Sequence, residues 1–349
     1  MLTWIINLFK YMRAGAAAGL LLFLCITMGL TPAGCTGKNA PHELVVYAAG
    51  PRELAEFMCK EFEREYGVKT SLFCATTGEI MAKLKAEEFH PHADVVILAG
   101  QTAAEVLKQQ KSLAPLPAGD YLRLNTAWND PDGFYAGTAG TALGVAMRKE
   151  GYDPNLDWDQ IFAGAIKGKL IMPSPSLSGS SAEFVICFHL LFPDKFWKGM
   201  ENIKNHGLQI SGPNSQALTS VVLGGHQAAL AAADYLVFKQ IEKGEPLVMH
   251  FPPSGCPLSL RPVMIMAGSD NKKAAGDFVK LCFSSAVQKE IAAEHLLPAD
   301  PGVELSKLRK EASVLHPILM DVKTACKEQQ DILQRFRTEI EQGGGESAQ

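Results

Sequence analysis

Apolar and polar positions along this chain alternate between two periods. The run over 44–48 (LVVYA) has the length and branching of a buried strand. Leu54, Phe57, Met58, Phe62 and Tyr66 then recur every three to four positions, which predicts a helix over 52–66 that stops at Gly67. Strands at 69–74 and 93–98 and helices at 76–89 and 102–110 continue the rhythm. Such strand–helix alternation predicts a parallel sheet covered on both faces.

From 115 to 141 the pattern breaks, and Asn129-Asp130-Pro131-Asp132-Gly133 predicts irregular, turn-rich chain. A second alternation follows: strands at 143–147, 169–172 and 228–232, and helices near 158–163, 180–192, 194–205 and 215–224. A strand at 262–267 precedes helices at 272–282 and 285–293, and 304–342 reads as a largely helical, polar tail with a frayed end beyond it. The expectation is an α/β protein of two lobes around a cleft. The first lobe takes 43–142 plus 258–310, the second 143–257, and the tail 311–349. The chain crosses between lobes near 139–145 and 254–262, where hinges would absorb closure around a ligand.

With 47% hydrophobic and 20% charged residues in 349, the composition is globular and excludes a disordered or low-complexity chain. The net charge of −4 leaves no basic excess to neutralise phosphates, which excludes general nucleic-acid binding. Residues 1–35 read as an export signal: Lys10 and Arg13, an apolar stretch over 14–30, then Thr31-Pro32-Ala33-Gly34-Cys35. The end of it resembles a lipobox, in which Cys35 is acylated, although Pro32 stands where such boxes prefer Leu. Ordinary cleavage or an uncleaved anchor is the other reading. No later apolar run reaches the length of about 18 residues that a membrane span needs. Cys59, Cys74, Cys187, Cys256, Cys282 and Cys326 have no zinc-site spacing. Both disulfides and buried thiols remain open for them in an exported chain.

Three strand–helix junctions carry similar chemistry. Thr76-Thr77-Gly78-Glu79 is a capping box with Thr76 as N-cap, and Ser178-Gly179-Ser180-Ser181-Ala182-Glu183 repeats it with Ser180 and Glu183 in those roles. Asn214 or Ser215 caps a third helix after Gly212-Pro213. Helix starts with free N–H groups, hydroxyls and small residues suit an anionic or oxygen-rich ligand. In open α/β sheets they lie at the carboxyl ends of strands, where ligands bind. Each is equally well explained as a simple cap.

Read in order, five stretches resemble the periplasmic solute-binding proteins of bacterial ABC importers, above all the type II group with the ferric-iron binding proteins. They are LVVYAAGPRELAEFMCKEFEREYGVKTSL, TTGEIMAKLKAEEFHPHADVVIL, GKLIMPSPSLSGSSAEF, SGPNSQALTSVVLGGHQAALAAADY and RPVMIMAGSDNKKAAGDFVKLCFSSAVQKEIA, within about residues 44–298. The resemblance implies a two-lobe periplasmic-binding-protein type II fold that closes on one small ligand. It further implies delivery to ABC permease and ATPase subunits, a location in the periplasm or at the cell surface, and no catalysis and no cofactor. Of the iron ligands in the ferric group, the His after the first strand is Pro51 here and the Glu after the third is Gly100. The Tyr pair is Asp234-Tyr235. The anion-holding positions match better: Gln101, Ser178, Gly179, Ser180 and Asn214. Thr76 and Thr77 join this set as the start of the second helix.

Fe(III) is hard and takes several anionic oxygens. One phenolate and one carboxylate, Tyr235 and Asp234, leave it short unless an anion completes the site. The resemblance therefore implies a small anionic ligand, or a ferric–anion complex held mainly through its anion. Other residues carry less. His90 and His92 fall in a turn, His189 reads as a core residue, and His226 has no ligand-spaced partner. Tyr135 and Thr141 stand near a crossing and are candidates to line the cleft. Arg261, at the other crossing, either counters an anion's charge or sits on the surface. Cys256 is a candidate nucleophile for the rival reading, an enzyme on the same fold, but no His or acid has motif spacing to it. No GxSxG, HExxH or P-loop pattern occurs.

Overall fold

The computed structural model describes residues 43–150, 152–311 and 316–342. All of them belong to the unit His42–Gln349. The export signal, Cys35 and the segment after Gln342 lie outside the described residues.

The first lobe begins with β1 (Leu44–Ala49), α1 (Arg52–Tyr66), β2 (Thr70–Ala75), α2 (Thr77–Ala86), β3 (Val95–Ile97), α3 (Gln101–Gln109) and β4 (Leu113–Ala114). β5 (Tyr135–Arg148) carries the chain into the second lobe. There follow α4 (Trp158–Phe162), β6 (Leu170–Met172), α5 (Gly179–Leu191), α6 (Pro193–Asn205) and β7 (Gln209–Ile210). Then come α7 (Asn214–Val222), β8 (Ala228–Ala233), α8 (Asp234–Glu242) and β9 (Leu247–His250). β10 (Cys256–Met266) returns to the first lobe, which adds α9 (Lys272–Cys282), α10 (Ser285–Ala293) and β11 (Leu297–Pro298). The tail holds α11 (Lys307–Glu311), β12 (Pro317–Ile318) and α12 (Val322–Phe336).

The strands form one continuous path, β2-β1-β3-β10-β5-β8-β6-β7. β2, β1 and β3 are parallel, with Val46 opposite Leu72 on one side and Val95 on the other. β10 enters beside β3 in the antiparallel sense, so the sheet is mixed rather than wholly parallel. Alternation along β1 sorts its side chains into two layers. Leu44, Val46 and Ala48 pack with Leu54, Phe62, Phe278 and Ile291. Tyr47 and Ala49 pack with Ile80, Val96 and Leu107 on the other face. In the second lobe Leu143, Val145 and Met147 meet Trp158, Phe184, Phe188 and Phe196. Ala146 and Ala229 meet Leu218, Val221 and Phe238. Phe62, Phe184, Phe196 and Phe278 are entirely buried, each worth about 2–3 kcal/mol relative to exposure.

The two crossings expected as hinge links are interior stretches of β5 and β10, which pair antiparallel from Leu258↔Ala142 to Met264↔Tyr135. The chain expected to be irregular up to 141 is therefore strand from Tyr135 on. Its sequence, YAGTAGTALGVAMR, is buried on both faces, so no apolar–polar alternation marks it. The helix over Asp234–Glu242 and the strand after it also escape the sequence pattern. The tail is not simply polar: Ala325, Ile332, Phe336 and Ile340 enter the second lobe's core. No described helix is long and apolar enough to cross a membrane.

Candidate functional site

Between the lobes lies a cavity of about 430 Å³, and four helices begin at its wall. From the first lobe come Gly50–Glu53, entering α1, and Thr76 and Thr77, entering α2. From the second come Ser178, Gly179 and Ser180, entering α5, and Pro213, Asn214 and Ser215, entering α7. Tyr235, in the first turn of α8, also lines it.

Thr76 is the expected cap: Glu79 N donates to its hydroxyl, and Thr76 N and Oγ1 donate to the Glu79 carboxylate at 2.8 Å. These bonds hold the Glu79 carboxyl below its usual range. The Thr77 hydroxyl is spent on the Ala99 backbone, accepting from its N–H at 3.1 Å and donating to its carbonyl at 3.3 Å. The two threonines thus brace the helix start, and what the cavity receives from Thr77 is its backbone N–H.

At α5 the cap is Ser178 rather than Ser180, since Ser181 N donates to Ser178 Oγ at 3.1 Å. Asn214 Nδ2 donates to Ser178 Oγ at 2.7 Å and to Ser180 Oγ at 2.9 Å. With both lone pairs of Ser178 Oγ occupied, its proton turns to Ser180 Oγ, 3.1 Å away. Ser180 then accepts two bonds, and its own proton is left for the cavity. Asn214 is the first helical residue after Pro213, not a side-chain cap, which frees its amide for this bridge. The backbone N–H groups of Thr77, Gly179, Ser180, Asn214 and Ser215 find no acceptor among the described residues.

The lobes touch beside the cavity. Gly78 N donates to Leu177 O at 3.1 Å. A Cβ on Gly78 would stand 2.3 Å from Ser176 O, and one on Gly179 would stand 2.0 Å from Ala99 O. Neither position tolerates a side chain while the lobes meet.

Two of the sequence candidates stand elsewhere. Gln101 opens α3, but its Nε2 donates to Trp128 O at 2.9 Å, in the interior. The start of α3 is closed instead by Glu183 from the other lobe, whose Oε1 accepts from Thr102 N at 3.0 Å and Thr102 Oγ1 at 3.1 Å. Glu183 is therefore not the capping-box partner of its own helix. Burial pushes its carboxyl up to about 7, against the lowering effect of the Thr102 bonds. Asp234 is fully buried and faces away from the cavity: it accepts from Ala142 N at 2.9 Å, Tyr235 N at 2.7 Å and Arg309 Nη1 at 2.6 Å. The candidate carboxylate for a metal is thus already paired, and only Tyr235 of the two reaches the cavity. Among the described residues no group of His, Cys, Asp and Glu has metal-holding geometry.

The remaining candidates separate by burial. Tyr135 donates to Glu105 Oε2 at 3.0 Å, and neither it nor Thr141 lines the cavity. His90 and His92 are exposed. His189 is half-buried at the surface, accepting from Trp197 Nε1 at 2.7 Å, and is not a core residue. His226 sits between Ser220 Oγ and Gln209 Oε1. Cys256 is buried inside β10, and burial raises its thiol far above the usual range, which disfavours the thiolate a nucleophile needs. All six described cysteines are free. Arg261 is not on the surface: it is 6% exposed and lines the cavity. At the start of α1 only Pro51 is a ligand position by resemblance; Gly50-Pro51 directly after an apolar strand is the sequence signal for the rest of that wall, Arg52 and Glu53.

The sequence model of the bacterial extracellular solute-binding proteins matches residues 44–296, the span that builds both lobes and the cavity. The chain belongs to that family. This solute-binding protein is 23% identical, over 276 residues, to a protein of Haemophilus influenzae, covering 76% of this chain and 79% of that one. Its fold is that of the periplasmic binding protein AfuA from Actinobacillus pleuropneumoniae, solved with fructose-6-phosphate bound. The TM-score is 0.77 at 21% identity, over 85% of this chain and 98% of that one. The ferric binding protein from Campylobacter jejuni is similar with a TM-score of 0.76 at 19% identity, over 85% and 99%. These solved relatives are binding proteins, and the two-lobe type II fold is common to all three.

Proposed function

We propose that this protein captures a small organic anion, a phosphate monoester of about hexose phosphate size, outside the cytoplasm and delivers it to an ABC permease driven by its ATPase subunits. One observation carries the reading: helix starts from both lobes meet at one cavity, with five backbone N–H groups and the Ser180 hydroxyl proton unspent. Positive helix ends and free amides attract an oxyanion and lose nothing when it binds. The carboxylates at the wall keep their charge and count against it, but Glu79 turns Oε2 to Thr76 and the Glu53 side chain is 70% exposed, where solvent screens it. The cavity's 430 Å³ falls in the range of about 300–1,000 Å³ that holds organic ligands. An inorganic oxyanion would leave most of it to water. Arg52, Glu53 and Lys239 at the wall offer both donors and acceptors, which suits a hydroxylated tail. The AfuA structure, with fructose-6-phosphate bound, supports the same ligand class.

The ferric reading rests on Tyr235 and on the resemblance to ferric binding proteins. With Asp234 paired to Arg309, such a complex would have to bring its own oxygen ligands, as a ferric carboxylate complex does. Acylation at Cys35 would tether the protein to the membrane surface.

Calorimetric titration and thermal unfolding with fructose 6-phosphate, glucose 6-phosphate, inorganic phosphate and ferric citrate decide between these. A hexose phosphate that binds and raises the melting temperature supports the proposal. Stabilisation by ferric citrate alone, with a charge-transfer band lost in Tyr235→Phe, replaces it with the ferric reading.

A further inference from the structure

Arg261 lies in the middle of β10, where the pairing with β5 shifts register between Arg261 and Pro262. Its side chain touches both lobes. Nη1 donates to Ala49 O at 2.6 Å and to Gly50 O, at the end of β1. The guanidinium lies 5.3 Å from the centroid of the Tyr235 ring, in the first turn of α8. No carboxylate among the described residues stands within ion-pair distance of it. Nε is buried without a hydrogen-bond partner, and Nη2 has none either among the described residues.

Those two nitrogens share one edge of the guanidinium. That edge is the fork that grips a carboxylate or a phosphate with two parallel hydrogen bonds. A buried cation with an empty fork is costly, since both its charge and its N–H groups lack partners. The opposite nitrogen is spent on the backbone, which fixes the plane and leaves the fork without a partner among the described residues, on a side chain that lines the cavity.

We infer that Arg261 reads the charge of the ligand: its Nε/Nη2 edge takes two oxygens of one anionic group, while Nη1 and the Tyr235 contact tie that event to both lobes across the hinge strand. The inference rests on the anionic ligand proposed above and adds that selectivity for charge comes from this one side chain. The amides at the helix starts accept any oxygen-rich group; the buried cation accepts only a charged one.

The test uses wild type, Arg261→Lys and Arg261→Gln with fructose 6-phosphate and inorganic phosphate as probes. Binding is read by calorimetry and lobe closure by small-angle X-ray scattering. In ¹⁵N-labelled wild type the Arg261 Nε–H resonance is followed as well. Arg261→Gln should lose about a hundredfold in affinity or more. Arg261→Lys keeps the charge but cannot hold two carbonyls and a fork at once. It should lose about tenfold and show a smaller contraction on binding. The Nε–H resonance should shift and exchange more slowly when the probe binds. If wild type binds a probe and Arg261→Gln binds it within threefold, the inference is overturned and the anion reading stands. If Arg261→Gln does not fold, an Nε–H resonance unmoved by a bound probe overturns it equally. If wild type binds neither probe, the anion reading fails and this inference falls with it.

Discussion

Glu183 Oε1 lies 3.0 Å from the amide nitrogen of Thr102, so a carboxylate from the second lobe closes a helix start of the first. It does for α3 what an external anion would do for the starts of α1, α2, α5 and α7. It also explains why the helix that begins at Gln101 contributes nothing to the cavity. The close packing is visible at Gly100, where φ is 118° and an added Cβ would stand 3.0 Å from the Glu183 carboxyl, so a side chain has no room.

The burial of this carboxyl, which the Thr102 bonds only partly offset, makes stability depend on pH. Glu183 titrates near 7 in the folded protein because burial disfavours its charge, against a reference of 4.5. The folded state therefore holds the proton more tightly, and the stabilisation is complete below about pH 4.5. It is lost as pH rises through 7, a change on the order of 3 kcal/mol. Glu183→Gln should flatten that part of the profile. The difference in unfolding free energy between variant and wild type, measured by urea denaturation from pH 4.5 to 8, should grow in the variant's favour as pH rises.

Gly179→Ala should act on closure. Its new Cβ would meet Ala99 O at 2.0 Å and Thr77 Oγ1 at 2.7 Å. The lobes must then separate locally, at a cost of about 1–3 kcal/mol. Weaker ligand binding with normal helix content by circular dichroism is the expected result; unchanged affinity would show that the two lobes need not meet there.

Ser180→Ala and Asn214→Ala remove the bridge that orients the Ser180 proton. Each should weaken binding of the anionic probe by about tenfold or somewhat more, the worth of one hydrogen bond to a charged group. Asn214→Ala should also lower the ligand-free melting temperature, because Ser178 and Ser180 lose a shared donor. A titration series on both variants checks this.

Asp234→Ala should destabilise the fold by about 3–5 kcal/mol by leaving Arg309 buried without its partner. Asp234→Ala combined with Arg309→Met should recover much of the loss. Chemical unfolding of the single and double variants gives the coupling. Iron binding, if present, should not follow Asp234.

Among the six described cysteines, thiol labelling should single out Cys74. It is half-exposed at the cavity wall, whereas Cys59, Cys187, Cys256, Cys282 and Cys326 are buried. A bound ligand should slow its modification, as mass spectrometry of the labelled peptide can report.

Short-range patterns were open to direct reading. The helices Lys272–Cys282 and Ser285–Ala293 have the ends that periodicity predicts, and Thr76 and Glu79 form the expected capping box. Thr76, Thr77, Ser178, Gly179, Ser180, Asn214 and Tyr235 all reach one cavity. Capping and periodicity depend on neighbours within about four positions, and those neighbours are written in the chain itself. What only the tertiary structure decided involves distant partners. Glu183 finds Thr102 across 81 positions, Asp234 finds Arg309 across 75, and Arg261 finds Ala49 across 212. The same holds for the full length of β5 and β10, buried on both faces: the sequence marks strand only at 143–147 and 262–267, and no alternation extends it over the rest. Which polar groups those contacts consume, and which they leave free for a ligand, is settled only when the two lobes come together.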